Sequence, residues 1–255
     1  MRERMFDLKG KLALVTGSSR GIGKAIAIKL CEAGADVIVH GRSESAKLLE
    51  TAKELEKYGN KVFVEYADTS KPEEIAKMFE RIRAQCGRLD ILVNNAAVLS
   101  RVTFLEMPYE EWDRLMETNS RGYFLCSQHA ARMMKEKGYG RIINISSISQ
   151  FEVAQGRVHY CASKAAIGML TKGLALELAE YGITANEVLP GSIHTDFNDD
   201  VLSNPDYYAK CIEGIPMKRI GNPEDIAGAV VMLASEEASY ISGAEIVVDG
   251  AKTVF

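Results

Sequence analysis

The chain predicts an α/β fold, a single doubly wound unit on a seven-stranded parallel sheet, and three observations predict it. Short β-branched or apolar runs alternate with amphipathic helical stretches along the whole length. That order is the signature of βαβ units, whose right-handed crossovers build a parallel sheet covered on both faces. Several helical stretches end on a glycine where a left-handed C-cap belongs: Gly34, Gly59, Gly87, Gly138 and Gly182. No linker-like stretch and no internal repeat interrupts the 255 residues, so 1–255 is expected to be one domain.

Taken in order, residues 12–16 read as the first buried strand and run straight into Thr16-Gly17-Ser18-Ser19-Arg20-Gly21-Ile22-Gly23, with helix over 24–33. Glycines there permit a tight turn and close backbone approach, and the free N–H groups of the helix start suit a pyrophosphate. The G-x-x-x-G-x-G spacing lacks the G-K-[ST] ending of a P-loop. The second strand, 37–39, ends in His40-Gly41-Arg42-Ser43. In dinucleotide-binding sheets an acid at that end holds the ribose 2′-hydroxyl. Here Arg42 stands instead, with Arg20 in the glycine turn, and two guanidinium groups suit a 2′-phosphate. The expected cofactor is therefore NADP, with NAD as the alternative.

The third strand, 62–66, is followed by Asp68-Thr69, and the fourth, 91–94, by Asn95-Ala96-Ala97. Both lie where an adenine ring and its ribose would sit, although turn capping alone accounts for either. A long helix is expected over 112–137, then a fifth strand over 142–145 that ends at Ser146-Ser147. The next helix, 158–179, carries Tyr160 and Lys164 at i,i+4, on one face. A phenol with an ordinary pKa of about 10 is a poor acid–base group near neutrality, and a close ammonium is expected to bring it toward working range. The sixth strand, 184–189, leads into Pro190-Gly191-Ser192-Ile193-His194-Thr195, and 246–248 is the seventh.

In this order the T-G-x-x-x-G-I-G turn, N-N-A, N-I-S-S, Y-x-x-x-K and the Pro190 run resemble the short-chain dehydrogenase/reductase family over nearly the whole chain, about 7–250. The resemblance implies a single-domain Rossmann fold and nicotinamide-dependent oxidoreduction of a small alcohol or carbonyl compound. It makes Tyr160 the general acid/base, Ser147 the group that orients the reacting oxygen, and Lys164 the residue that binds nicotinamide ribose and tunes the tyrosine. Asn119 matches the asparagine that holds a relay water. Cofactor contacts are expected from Gly17, Ser19, Arg20, Gly21, Ile22 and Gly23. Gly41, Arg42, Asp68, Thr69, Asn95 and Ala96 are to serve the adenosine half; Tyr160, Lys164, Pro190, Gly191, Ile193 and Thr195 the nicotinamide half. Two positions depart from the family pattern: Ala97, where a glycine is usual, and Ala251, the second of an expected glycine pair.

Substrate choice is expected in 196–217, read as a polar lid, and between Ser147 and Tyr160. The latter stretch holds Gln150, Glu152, Gln155, Arg157 and His159, polar groups that suit a hydroxylated substrate, although a solvated loop explains them as well. Gln150, Gln155 and His159, with Ser147 and Tyr160, are the candidate substrate contacts. The chain is similar to sugar 1-dehydrogenases of the family and nearly as similar to its 3-oxoacyl-carrier-protein reductases. The leading expectation is NADP-linked oxidation at C1 of an aldose or of a polyol, ahead of 3-oxoacyl thioester reduction. A dinucleotide-sensing protein without catalysis is a third reading.

With 31 basic and 35 acidic residues, net charge −4, and the basic groups dispersed, nucleic acid and anionic membrane are not expected partners. The longest apolar-or-glycine run, 226–234, is nine residues, short of a membrane span, and 1–7 lacks an apolar signal core. Five dispersed cysteines without a C-x-x-C pair suit reduced thiols and the cytoplasm, with Cys161 in packing, and no metal site is expected. Trp112, Met116, Met133 and Met134 are expected to pack helices. The resemblance further implies a homodimer or homotetramer built on the helices over 112–137 and 158–179.

Overall fold

The computed structural model describes residues 5–195 and 203–254. The first seven residues of the expected lid, 196–202, lie outside them. Seven parallel strands run in the order β3-β2-β1-β4-β5-β6-β7. They are β1 Leu12–Val15, β2 Asp36–Gly41, β3 Val62–Tyr66, β4 Ile91–Asn94, β5 Gly140–Ile145, β6 Ile183–Pro190 and β7 Glu245–Val248. β1 pairs with β2 on one side and β4 on the other. The chain therefore reverses its winding there and opens a crevice at the strands' carboxyl ends.

Strand residues alternate between two cores. Val15, Val37, Val39 and Val93 pack against α1 (Gly21–Glu32), α2 (Ala46–Leu55) and α8 (Pro223–Ala234), chiefly through Ile26, Leu30, Leu48, Val230 and Leu233. Leu14, Ile38, Leu92 and Ile142 face the other way, onto α3 (Pro72–Cys86) and α5 (Gly122–Lys135). Burial on both faces is why these strands read as continuous apolar runs. On the second face Asn94 donates to Asn144 Oδ1 and Ser127 Oγ, both at 2.9 Å, and Asn144 donates to Thr171 Oγ1 of α6 (Val158–Leu178) at 2.9 Å. The first asparagine of N-N-A and the asparagine of N-I-S-S are thus rivets between strands and helices, fully buried.

All five capping glycines have positive φ. Ala251 does too, at 69°, so an L-residue occupies the left-handed region where a glycine was expected. One helix differs from expectation. The stretch read as continuous over 112–137 is α4 (Tyr109–Met116), a single π-turn over Glu117–Arg121, and then α5. The widened turn adds a residue to the helical repeat and aims Asn119 inward, where it is fully buried. A short α7 (Pro205–Glu213) precedes α8.

Candidate active site

The crevice is one cleft of about 1200 Å³ over the carboxyl ends of β1, β4, β5 and β6. At its first end the glycine turn is packed backbone to backbone. A Cβ on Gly23 would lie 2.3 Å from Gly17 O, and one on Gly17 2.9 Å from Ala96 Cα. Thr16 Oγ1 accepts from Asn95 N at 2.9 Å and Ala96 N at 3.1 Å, and the Asn95 amide donates to Thr16 O and Gly17 O. Asn95 reaches the cleft wall, but its side chain is spent on clamping the turn. Arg20, extended at the N-cap of α1, gives no side-chain cap, and no acid stands in the first helical turn. The helix start thus keeps its positive end for an anion, and the turn fits a dinucleotide pyrophosphate.

His40 is a member of this cradle that the sequence did not single out. Its Nδ1 accepts from Gly17 N at 3.1 Å and its Nε2 lies 3.1 Å from Ala67 O. Since an amide N–H only donates and a carbonyl only accepts, the proton sits on Nε2. Burial pushes its pKa down to about 4, so it stays neutral while it ties the turn to β2 and β3. A lone polar residue ending an apolar strand was the available signal. Gly41, Arg42, Asp68 and Thr69 line the cleft beyond it. Burial raises the Asp68 pKa, but hydrogen bonds from Ser70 and the Lys71 and Arg42 charges outweigh it, and the carboxyl sits below its ordinary value.

At the other end Ser147, Tyr160 and Lys164 converge with Pro190, Gly191, Ile193 and Thr195. The Ser147 hydroxyl, which accepts from Ser149 N at 3.1 Å, lies close enough to the Tyr160 phenol to favour its ionised form. Lys164 Nζ donates to Ile145 O at 2.9 Å and stands 3.5 Å from the hydroxyl of Tyr123, itself bonded to Ile145 O at 3.0 Å. The fully buried Tyr123 was not foreseen; as an inward residue of a helix it looks like core from sequence. Asn119 accepts from Val98 N at 2.8 Å and donates to Val98 O at 2.9 Å, so it braces the cleft wall after β4.

Three expectations need correction. Lys164 does not bring the phenol toward neutrality in the free protein: burial raises the Tyr160 pKa against Ser147 and Arg157, and burial takes Lys164 down to about 7. Gln150 and His159 do not line the cleft. Gln150 accepts from Ser146 Oγ at 3.1 Å behind the wall. His159 is fully buried, one residue round the helix from Tyr160, with Nε2 2.8 Å from Ser100 Oγ. Ser100 in turn holds Glu111, which Arg114 grips at 2.7 and 2.8 Å. Gln155 does line the cleft, as do Ser149, Glu152 and Arg157. Cys161 is buried and all five cysteines are free. Among the described residues no helix is long and apolar enough to cross a membrane.

A family model described as enoyl-(acyl carrier protein) reductase matches residues 17–252. The chain is 44% identical over 245 residues to a 3-oxoacyl-[acyl-carrier-protein] reductase of Aquifex aeolicus, covering 95% of this chain and 97% of the relative. It is 39% identical over 252 residues to glucose 1-dehydrogenase 2 of Bacillus subtilis, covering 98% and 97%. A gluconate 5-dehydrogenase from Burkholderia cenocepacia, solved with NADP and tartrate, superposes with a TM-score of 0.94 at 33% identity, with 98% of each chain covered.

Proposed function

Because the chain belongs to the short-chain dehydrogenase/reductase family, we propose that it is an NADP-dependent oxidoreductase acting on a secondary alcohol or carbonyl carbon of a sugar or polyol. The observation that carries the reading is the convergence of Ser147, Tyr160 and Lys164 at one end of a cleft whose other end is a glycine cradle. Gly17, Ser19, Arg20, Gly21, Ile22 and Gly23 serve the pyrophosphate, Arg42 and Arg20 the 2′-phosphate, and Pro190 to Thr195 the nicotinamide. When bound, the nicotinamide supplies the hydride acceptor or donor; the chain manages the proton. Ser147 holds the substrate oxygen, Tyr160 takes or returns its proton, and Lys164, fixed by Ile145 O, completes the relay with Asn119.

The polar rim of Ser149, Glu152, Gln155 and Arg157, and the names of the glucose and gluconate relatives, support the sugar reading. The carrier-protein reductase, at 44% identity, supports the second one, reduction of a 3-oxoacyl thioester. Absorbance of reduced nicotinamide against a panel of aldoses, polyols and acetoacetyl thioesters separates them. Turnover of the thioester with every sugar inert overturns the first reading.

NADP is expected to bind about tenfold or more tightly than NAD, and Arg42→Ala to bring the two within about threefold. Equal dissociation constants in the wild type would show that the 2′-phosphate is not read.

The assembly proposed is a dimer or tetramer. Ala165, Met169, Lys172 and Leu176 form an exposed stripe at helical spacing on α6, with Met169 70% and Leu176 82% exposed. Tyr109 and Trp112 of α4 and Phe124 of α5 extend the apolar surface. Light scattering is expected to give at least twice the 28.0 kDa chain mass, and a monomer at micromolar concentration refutes it. Five free thiols and no membrane-crossing helix among the described residues support a cytoplasmic setting.

A further inference from the structure

We propose that Arg157 is an anion-binding residue at the substrate end of the cleft, and that the substrate carries a carboxylate on its hydroxylated chain, as an aldonate does. The proposal rests on the sugar and polyol reading above and names the class of compound within it.

Arg157 stands at the N-cap of α6, three residues before Tyr160, half-buried, and lines the same cleft as Ser147 and the phenol. Its main chain is engaged, with N donating to Ala154 O and O accepting from Cys161 N. Among the described residues its guanidinium has no hydrogen bond or ion pair. The neighbouring charges are paired off differently. Arg114 is gripped by Glu111. Glu152, a carboxylate on the same stretch of wall, is taken by Lys252 at 2.9 Å. The cations at the cofactor end are Arg20, in the glycine turn, and Arg42 and Lys47, which follow β2.

A half-buried guanidinium on the cleft wall, with five donors and no protein acceptor among the described residues, suits a planar carboxylate, which answers it with two parallel hydrogen bonds. A neutral sugar hydroxyl supplies an acceptor but not the charge. The reacting end of an acyl thioester carries no charge either, so an anion-seeking residue this close to the phenol favours the sugar-acid class over it. The position has a second consequence: the Arg157 charge favours the ionised form of Tyr160, so a carboxylate seated on it quiets that influence when substrate arrives.

Calorimetric titration of the NADP-saturated protein tests the site with three matched pairs: gluconate and glucose, galactonate and galactose, tartrate and threitol. At least one acid is expected to bind about tenfold or more tightly than its neutral partner. Arg157→Gln is expected to erase that advantage and Arg157→Lys to keep part of it, with unchanged melting temperatures showing both variants folded. The proposal is overturned if no acid binds with a Kd below about 1 mM, if neutral partners bind as tightly in all three pairs, or if Arg157→Gln preserves the difference. Turnover is scored separately. Arg157-dependent acid binding without reduced nicotinamide from any of the six compounds removes the sugar and polyol reading and leaves the anion site standing.

Discussion

Tyr160→Phe is expected to lower kcat in both directions by about 10² to 10⁴-fold with a melting temperature close to wild type, because the ring packs as before and only the proton-transferring hydroxyl is lost. The pH dependence of the wild type carries more information than the variant. Burial raises the phenol above its ordinary value, so near pH 7 Tyr160 is almost wholly protonated. Reduction uses that acid form and gains nothing from added base. Oxidation needs the scarce phenolate, so its kcat/KM is expected to climb by up to about tenfold per pH unit above 7, toward a plateau set by the tyrosine in the working complex. A steady-state pH profile in each direction checks this. An oxidation rate flat from pH 6 upward would mean the phenol is already ionised, and retained turnover in Tyr160→Phe would remove it from the reaction.

The second large effect concerns stability. Glu187, on β6, is fully buried and neither carboxylate oxygen finds a hydrogen-bond partner. Ser146 and Gln150 lie close enough to favour the ionised form weakly, but the Ser146 hydroxyl is committed to Lys164 O and Gln150 Oε1. Burial, and then Glu245 across the β6–β7 pair, push its pKa up from 4.5 to about 7. In the window from about 4.5 to 7 the native state therefore holds a proton that the unfolded state has released. Wild-type stability falls as pH rises through that window and levels off above it. The difference between 4.5 and about 7 corresponds to about 3 kcal/mol, and the lost attraction to Lys172 trims what a substitution recovers. Glu187→Gln is accordingly expected to be more stable than wild type by about 2 kcal/mol at pH 8, roughly 4 to 8 °C in Tm, and indistinguishable from it below pH 5. Urea denaturation at the two pH values measures this, and a variant less stable at pH 8 would mean the carboxylate is paired after all.

Much of the fold was legible in the sequence because a doubly wound sheet buries its strands on both faces and closes its helices on glycines. All seven expected strands are present within two residues at either end. The long helix over 112–137 was legible only in outline. A π-turn carries the same residue types as an α-turn, and what distinguishes it here is the demand of residue 98's backbone for the Asn119 amide. The candidate site shows the same division. Ser147, Tyr160 and Lys164 share a wall, as the order of motifs implied. Gln150 and His159 were misplaced because polarity in a loop says nothing about which side of the wall a side chain takes.

What the sequence determined by itself is what depends on local spacing: the strand and helix periods, the glycine turn between β1 and α1, the i,i+4 pair on α6, and arginines where an acid is usual. What the tertiary structure decided is what depends on neighbours distant in the chain. Desolvation by the assembled sheet and helices shifts the proton equilibria of His40, Lys164, Tyr160 and Glu187. Pairing with Lys252 and Glu111 leaves Arg157 as the guanidinium at the substrate end with no side-chain partner among the described residues. Burial and Coulomb attraction act through space, and a linear sequence holds no record of which charges meet until the sheet has brought its strand ends together.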